Sequence, residues 1–397
     1  MALDKFGEEY LLLALRMGKL IEGFVDAYYG PPELSDLVDN EKPLSPNTLL
    51  ESCKNLQNQL DEQNFSEERI KFLRKTLGAI ETSLSVILGK EIPFLEKIFK
   101  IYDIKPELFD DSEFYKLHAE LDSIFKGSGA LSDRINDFRE KHRLSINNLE
   151  NTFKKASKMI REKTYEVFPD LFPNEEEISI HFVNDKPWGA YNWYQGKFKS
   201  RIDINIDIPL DCGSVLRLLT HEAYPGHHTE HVLKEQKLYI EQKRFENSIL
   251  LILAPESVIS EGIGNTAADV LFSDYEKGSF ILNELCHEPS NLDLDPIISY
   301  YRSQGEMLKI FSNIAIHAHE DGWLDDELIN YALDFNLIPE EYIKRQLKSI
   351  RHPLWSSYVF NYVYGEILIK EKFGKQPSPQ NFKKLLVNSI LPSDLRI

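Results

Sequence analysis

The sequence predicts a mainly α-helical protein that carries one small antiparallel β ribbon. Apolar residues recur at helical spacing from residue 4 to about 169, alternate strictly with polar residues only within residues 177–209, and return to helical spacing from Ser214. A chain of 397 residues is long enough for two or three domains or for one large unit. We divide it into an N-terminal helical region, residues 1–170, and a second region, residues 171–397, and expect the two to be continuous.

The charge balance limits the classes of partner. Lysine and arginine total 46 against 64 aspartate and glutamate residues, which gives a net charge of −18. Such a surface repels phosphate groups, so we expect no nucleic-acid partner. No apolar stretch approaches the roughly 20 residues that a membrane-spanning helix needs, so we expect no membrane partner either.

Cysteine usage and the N-terminus both favour the cytoplasm. The three cysteines are too few and too scattered for a disulfide framework or a thiolate metal cage, which favours a reducing compartment; they are Cys53, Cys212 and Cys286. The apolar run at residues 10–15 is short, and acidic residues precede it where a secretory signal would carry basic ones. We therefore predict a cytoplasmic protein.

Turn-forming residues divide the first half into successive helices. Breaks in the apolar pattern fall at Pro31-Pro32, Gly89, Gly127-Ser128-Gly129 and Pro169. Ser66 illustrates how these helices begin, because a serine cap and an acidic first turn precede apolar residues at helical spacing up to Leu84. The sequence therefore predicts an all-helical first half.

Residues 177–209 contain the strand pattern. Isoleucines at 202, 204, 206 and 208 alternate with polar residues, and Ile178, Ile180 and Phe182 alternate likewise. We expect these two runs to pair as a ribbon joined by the aromatic segment 188–196. The ribbon either covers one edge of the core or presents an edge that holds an extended peptide through main-chain hydrogen bonds.

The remaining C-terminal sequence again has helical periodicity. Proline and turn residues separate the segments, which extends the mainly helical prediction to the end of the chain. The expected helices cover residues 296–319, 324–335, 339–350, 355–373 and 379–391.

A cluster of histidines is the most informative feature. Four of the 11 histidines lie within eleven residues, and they are His221, His227, His228 and His231. A zinc peptidase uses two imidazoles and usually one carboxylate as ligands, with a further carboxylate to take a proton from water at the metal. The pair His221-Glu222 has the order expected of such a ligand followed by a general base.

The spacing of the second histidine requires a break in the helix. The usual position, four residues after the first histidine, is occupied by Pro225, and in an intact helix His227 would lie about 240° round and about 9 Å along from His221. Pro225 and Gly226 together favour a bulge or a break that returns His227 to His221. We predict His221 and His227 as ligands; the competing possibilities are His228 as the second ligand, or a pair formed by His227 and His231.

Glu261 is the predicted third ligand of a single Zn²⁺. It stands 34 residues after His227 among apolar neighbours, where a carboxylate needs a cation or hydrogen-bond donors to offset desolvation. Glu256 and Asp269 are weaker candidates for the same position.

The segment His221-Glu222-Ala223-Tyr224-Pro225-Gly226-His227-His228 resembles the His-Glu-x-x-Pro-Gly-His-His signature of the bacterial family known as domain of unknown function 885. Ser260-Glu261-Gly262 is similar to its Glu-Gly-Trp block, although Ile263 replaces the tryptophan, and similarity covers roughly residues 190–370. Further similar segments are Val25–Pro31, His319–Trp323 and Tyr362-Val363-Tyr364-Gly365, whereas Pro353–Ser357 replaces the family's proline-glycine-glutamine run.

The resemblance implies a helical cradle around a central groove, similar to carboxypeptidase Taq-type zinc peptidases, with residues 171–397 as the metallopeptidase-like region. It implies carboxypeptidase-like hydrolysis of short peptides, with Glu222 as general base and a late histidine or tyrosine opposite the metal. The candidates for this second donor are His319, His228, Tyr358, Tyr362 and Tyr364, and those for binding a terminal carboxylate are Arg302 and Arg351. The competing function is that of a catalytically inactive peptide- or metabolite-binding protein on the same scaffold.

Overall fold

The computed structural model describes residues 4–169, 171–286 and 293–396. The prediction of a mainly α-helical protein is confirmed. The α-helices are α1 (Lys5–Leu20), α2 (Pro32–Asn40), α3 (Pro46–Gln59), α4 (Glu67–Ile87), α5 (Phe94–Tyr102), α6 (Asp111–Ile124), α7 (Leu131–Lys141), α8 (Ile146–Val167), α9 (Cys212–Glu222), α10 (His227–Lys234), α11 (Pro255–Leu271), α12 (Asp274–Phe280), α13 (Asp295–His319), α14 (Asp325–Asp334), α15 (Glu340–Ile350), α16 (Val359–Phe373), α17 (Pro379–Val387) and α18 (Pro392–Leu395).

Strands and short helical turns complete the described structure. The strands are β1 (Val25–Tyr28), β2 (Glu177–Val183), β3 (Ala190–Gly196), β4 (Lys199–Asn205) and β5 (Ile249–Leu251). Two π-helical segments, Glu235–Glu241 and Ile281–Cys286, continue α10 and α12 directly. Among the described residues, no helix is long and apolar enough to cross a membrane.

Local sequence explains where the helices begin. The Ser66 hydroxyl accepts a hydrogen bond from the Arg69 amide, as the cap pattern predicted, and Asp211 Oδ1 accepts one from the Ser214 amide at the start of α9. The apolar faces of the helices then meet in a core that draws buried residues from both sides of residue 170, from Phe6 to Leu395.

The main sheet has three strands in the order β2-β4-β3. The predicted runs do pair, with Ile180 opposite Ile202, but they are parallel, so the prediction of an antiparallel ribbon is wrong. The aromatic linker is itself strand β3, which pairs antiparallel with β4. Alternation defines which residues share a face but not the direction of a strand. A tight turn at Lys197 and Phe198, both with positive φ, supplies the antiparallel pairing.

A second, two-stranded sheet takes one of its strands, β1, from the half that was predicted to be all-helical. Strand β1 pairs antiparallel with β5, with Val25 opposite Leu251 and Tyr28 opposite Ile249. Four residues are too few to show a period in the sequence, which is why the sequence did not indicate this strand. Its consequence is that Asp26 is held next to segments more than 200 residues later in the chain.

Helices α11 and α16 pack with their backbones in near contact. A Cβ atom on Gly262 would lie 2.5 Å from the Gly365 carbonyl oxygen, so glycine is required at this crossing. Because Glu261 precedes Gly262, and Tyr358 and Tyr362 lie at the start of α16, the crossing places these three side chains close together.

Two of the cysteines are paired. Cys212 and Cys286 form a disulfide, with Cα atoms 5.5 Å apart, whereas Cys53 is buried and free. This pairing removes the cysteine argument for a reducing compartment. The cytoplasmic location therefore stays a prediction, without that support.

Candidate metal centre

The predicted helix break lies between α9 and α10. Helix α9 ends at Glu222, and α10 begins at His227 after the segment containing Pro225 and Gly226. A Cβ atom on Gly226 would lie 1.9 Å from the His221 carbonyl oxygen, so only glycine fits where the chain turns back. As a result the rings of His221 and His227 lie 4.6 Å apart between centroids.

Three of the predicted side chains converge at this break. His221, His227 and Glu261 each offer a donor atom, and the three atoms lie within 4.8 Å of one another. The distance from His221 Nε2 to Glu261 Oε2 is 3.4 Å. Ligand atoms about 2.1 Å from a tetrahedral zinc ion are themselves about 3.4 Å apart, so this pair already has the required spacing.

The protein leaves one of these atoms without a hydrogen bond. Glu261 Oε2 is buried and has no hydrogen-bond partner among the described residues, whereas Oε1 accepts a hydrogen bond from the Tyr358 hydroxyl at 2.6 Å. A buried carboxylate oxygen without a donor is costly, and a cation would remove that cost. The residues therefore fit a zinc ion, with His221, His227 and Glu261 as its holders.

A hydrogen-bonded chain behind His227 determines which of its nitrogens faces the cluster. The Ser260 hydroxyl donates to Glu230 Oε2 at 2.6 Å, so it can only accept from His227 Nδ1, which lies 3.1 Å away. Burial alone would raise the pKa of Glu230, but Lys234, whose Nζ lies 2.5 Å from Oε1, lowers it, so Glu230 is ionised. A neutral His227 that keeps its proton on Nδ1 would have its Nε2 lone pair free for a metal.

The electrostatics of the cluster favour positive charge. Burial would lower the pKa of His227, but Glu230, Glu222 and Glu261 around it raise the pKa to about 9. Burial is also the main cause that raises the pKa of Asp26 to about 6 and that of Glu256 to about 7. A surplus of buried carboxylates in one place is a physical reason for a cation to bind there.

A cavity of about 100 Å³ adjoins the three donors. Glu222 lines it next to His221, and within the described parts of the chain nothing donates a hydrogen bond to the Glu222 carboxylate. Tyr362 lines it as well, and burial raises the pKa of Tyr362 well above its usual value, so its hydroxyl keeps its proton. The cavity thus combines a free carboxylate and a hydroxyl donor with the three candidate ligands.

His228 does not face this cavity, which corrects its prediction as a catalytic donor. It is fully buried, with Nε2 2.7 Å from Glu176 Oε2 and Nδ1 2.8 Å from the Ser200 hydroxyl. One residue along a helix corresponds to about 100° of rotation, so ligation by His227 turns His228 away.

Serine, histidine and glutamate in this order look like a hydrolase triad, but burial excludes that role for Ser200, His228 and Glu176. Ser200 is 2% exposed and Glu176 accepts further hydrogen bonds, from Tyr224 at 2.5 Å and from Tyr165 at 2.7 Å. A nucleophile must reach its substrate, and none of the three lines the cavity. The cluster instead anchors α10 to the sheet.

His319 lies elsewhere too, and this corrects its prediction as the donor opposite the metal. Its Nε2 lies 2.7 Å from the Ile350 carbonyl oxygen, and its ring stacks on Phe94 at 4.2 Å. Tyr364 also contacts the backbone outside the cavity, because its hydroxyl accepts from the Glu107 amide at 2.8 Å. Of the five candidates for the second donor, Tyr358 and Tyr362 line the cavity.

The remaining candidate residues fall into two groups, outside and inside the cavity. Arg302 pairs with Glu120, and Arg351 with Asp325 at 2.9 Å, so both arginines form surface ion pairs outside the cavity. Asp269 pairs with Lys277 and Lys370. Glu256 and His231 do line the cavity, but neither belongs to the group of three converging donors.

Several residues of the cavity were not predicted. Glu230 and Lys234 follow His227 at spacings of three and seven, which places them on the same helix face and was a usable signal. Asp26 and Asn192 come from strands, and the weak similarity at Val25–Pro31 was the single hint for Asp26.

Comparisons with known proteins show a shared fold. No family model and no curated protein matches the chain. The crystal structure of "the putative lipoprotein from Colwellia psychrerythraea" is similar, with a TM-score of 0.52 and 14% identity over 88% of this chain and 68% of that one. A "putative lipoprotein of unknown function from Shewanella oneidensis" has a TM-score of 0.46 and 13% identity over 91% and 71%. The first likeness concerns the fold alone, and the resemblance to the domain of unknown function 885 stays a prediction.

Proposed function

We propose that the protein is a zinc-dependent peptidase that hydrolyses short peptides, with Glu222 as the general base. The observation that carries the proposal is the convergence of His221, His227 and Glu261 within 4.8 Å beside a cavity that Glu222 also lines. Two imidazoles and one carboxylate, with a second carboxylate next to them, are the groups that a hydrolytic zinc site uses.

The residues divide the chemistry between them. Zinc, when bound, polarises the scissile carbonyl and makes water more acidic. Glu222 accepts a proton from the attacking water, the water oxygen bonds to the carbonyl carbon, and the carbon–nitrogen bond breaks as Glu222 passes the proton to the leaving amine. Ser260 and Glu230 hold His227 in the tautomer that the site requires.

Tyr362 is the proposed donor to the oxyanion. Its hydroxyl lines the cavity, and the two rings of Tyr358 and Tyr362 lie edge to face at 5.4 Å. Tyr358 already donates to Glu261 Oε1, which leaves Tyr362 as the donor that can turn towards a substrate.

Strand β3 supports a peptide as the substrate. It is an edge strand of the three-stranded sheet, and its residues Ala190, Tyr191 and Asn192 line the cavity. The main chain of such an edge can pair with an extended peptide and orient its scissile bond.

Exchanging Glu222 for glutamine tests the proposal. Glu222→Gln should retain zinc, because it is not a ligand, and should lose at least about 100-fold in peptide turnover, since a general base contributes about that much or more. Glu150→Gln, at an exposed position on α8, is the matched control. Zinc is measured by elemental analysis and turnover with a mixture of short peptides. Equal turnover by Glu222→Gln and wild type would contradict the proposal.

The ligand assignment has its own test. His221→Ala and Glu261→Ala should each lower the zinc content to well below one ion per chain, because each removes one of three protein ligands. Full zinc occupancy in both variants would refute the assignment. If zinc is bound but no peptide is cleaved by the wild-type protein, an inactive binding protein replaces the peptidase as the function.

A further inference from the structure

The cavity wall is rich in carboxylates. Five line it, those of Asp26, Glu222, Glu230, Glu256 and the candidate ligand Glu261. Among the described residues that line it there is one lysine, Lys234, and its Nζ is already bound to Glu230 at 2.5 Å. Even with a divalent ion present, negative charge remains in excess. The wall is therefore suited to a positively charged group of a ligand and offers no free cation to a carboxylate.

Asp26 is the carboxylate best placed to receive that group. The Tyr191 hydroxyl donates to its Oδ1, and its Oδ2 has no hydrogen bond with the described residues. Asp26 lines the same cavity as His227 and Glu261. An ionised carboxylate has more acceptor sites than one tyrosine can fill, so Asp26 retains capacity for a donor from a ligand.

A second acceptor on the wall lacks a partner. Asn192 is 5% exposed, and its Oδ1 is buried without a hydrogen bond among the described residues. Its Nδ2 donates to the Glu222 carbonyl oxygen at 2.6 Å, which fixes the orientation of the amide. An unpaired buried acceptor is costly unless a donor arrives, and a primary ammonium group brings three N–H donors.

We infer that the cavity selects ligands that carry a primary ammonium group, bound by Asp26 and Asn192. In an amino acid the α-ammonium nitrogen lies about 2.5 Å from the carbonyl carbon, so its binding group must lie in the same cavity as the metal ligands, as Asp26 does. This inference rests on the proposed function, and it makes a short peptide with a free amino end the substrate. Cleavage then proceeds from the amino end, and not from the carboxyl end, since Arg302 and Arg351 lie outside the cavity.

A basic side chain is the other source of a primary ammonium group. Glu256 lines the same cavity. It stands five residues before the candidate ligand Glu261 on α11, which corresponds to about 7.5 Å along the helix axis. The ε-ammonium group of a lysine side chain would reach Glu256, whereas an α-ammonium group would bind at Asp26.

Binding of amines without a scissile bond tests the inference separately from catalysis. We would titrate the zinc-loaded protein calorimetrically with leucinol, N-acetyl-leucinol and N-acetyl-lysinol. Leucinol should bind at least about 10-fold more tightly than N-acetyl-leucinol, which lacks the charge, and Asp26→Asn should weaken leucinol binding by at least about 10-fold. Asp36→Asn, exposed on α2, is the matched control and should bind as the wild type does.

The outcomes are distinct. Equal binding of leucinol and N-acetyl-leucinol, or unchanged binding by an Asp26→Asn protein with wild-type melting temperature, overturns the inference. Tight binding of N-acetyl-lysinol that Glu256→Gln weakens, together with equal binding of leucinol and N-acetyl-leucinol, overturns the assignment to Asp26 and identifies a side-chain ammonium group as the ligand. Cleavage of N-acetyl-Leu-Gly-Gly as fast as Leu-Gly-Gly refutes the inference but leaves the peptidase proposal intact. Leucinol binding without cleavage of any peptide supports the inference and ends the peptidase proposal.

Discussion

Replacing Glu176 with glutamine should destabilise the protein in a manner that depends on pH. Burial alone would raise the pKa of Glu176, but hydrogen bonds from His228, Tyr165 and Tyr224 lower it from 4.5 to about 2. One pKa unit corresponds to about 1.4 kcal/mol, so the ionised form contributes about 3 kcal/mol to the free energy of unfolding. Because the folded-state pKa is the lower one, this contribution is complete above about pH 4.5 and disappears as the pH falls towards 2.

At pH 7, Glu176→Gln should lower the free energy of unfolding by at least about 3 kcal/mol. Both carboxylate oxygens accept hydrogen bonds, Oε1 from Arg161 at 2.7 Å and Oε2 from His228 at 2.7 Å. An amide nitrogen at either position would face a donor, which adds the cost of an unsatisfied buried group. A loss of this size is a large fraction of the roughly 5–15 kcal/mol that is typical of folded proteins.

Urea unfolding of the zinc-free protein between pH 7 and pH 3 measures the effect. The difference in unfolding free energy between wild type and Glu176→Gln should shrink as the pH falls below 4.5, whereas Glu150→Gln should show no such trend. Ser200→Ala should keep peptide turnover, because Ser200 is buried behind the site. A pH-independent difference, or turnover lost with Ser200, would refute the structural role that we give to this cluster.

Three further predictions concern the centre and its surroundings. Ser260→Ala should weaken zinc binding by about 10-fold or more in competition with a chelator, because it disconnects His227 from Glu230; unchanged affinity would contradict the tautomer argument. Gly262→Ala should lower the unfolding free energy in urea by about 1–3 kcal/mol or more, since its methyl group would meet the Gly365 backbone, and wild-type stability would contradict that contact. His319→Gln should leave zinc content and kcat/KM within about twofold of wild type, because His319 contacts the Ile350 carbonyl oxygen outside the cavity. A loss of kcat/KM of about 10-fold would show instead that His319 acts at the site.

Features that depend on nearby residues were predictable from the sequence. The helices follow from caps and apolar spacing, as at Ser66, and the break at Pro225 and Gly226 follows from the backbone limits of proline and glycine. The same reasoning selected His221 and His227 from four neighbouring histidines, and the structure places these two together with Glu261.

Features that depend on distant residues were not predictable in this way. Strand β1 has no period of its own and exists because β5 pairs with it, so Asp26 could not be placed in the cavity. The direction of β2 relative to β4 depends on the path of the chain between them, which alternation does not encode. His319 has suitable chemistry, but the packing of its ring against Phe94 decides where it lies.

The order in which the wall of the cavity is assembled follows from the spread of its residues along the chain. Asp26 comes from strand β1 near the start, His221 and Glu261 come from the middle, and Tyr362 comes from α16 near the end. During synthesis, Asp26 leaves the ribosome more than 300 residues before Tyr362 does. A nascent chain therefore cannot complete the wall of this cavity until Tyr362 has been translated.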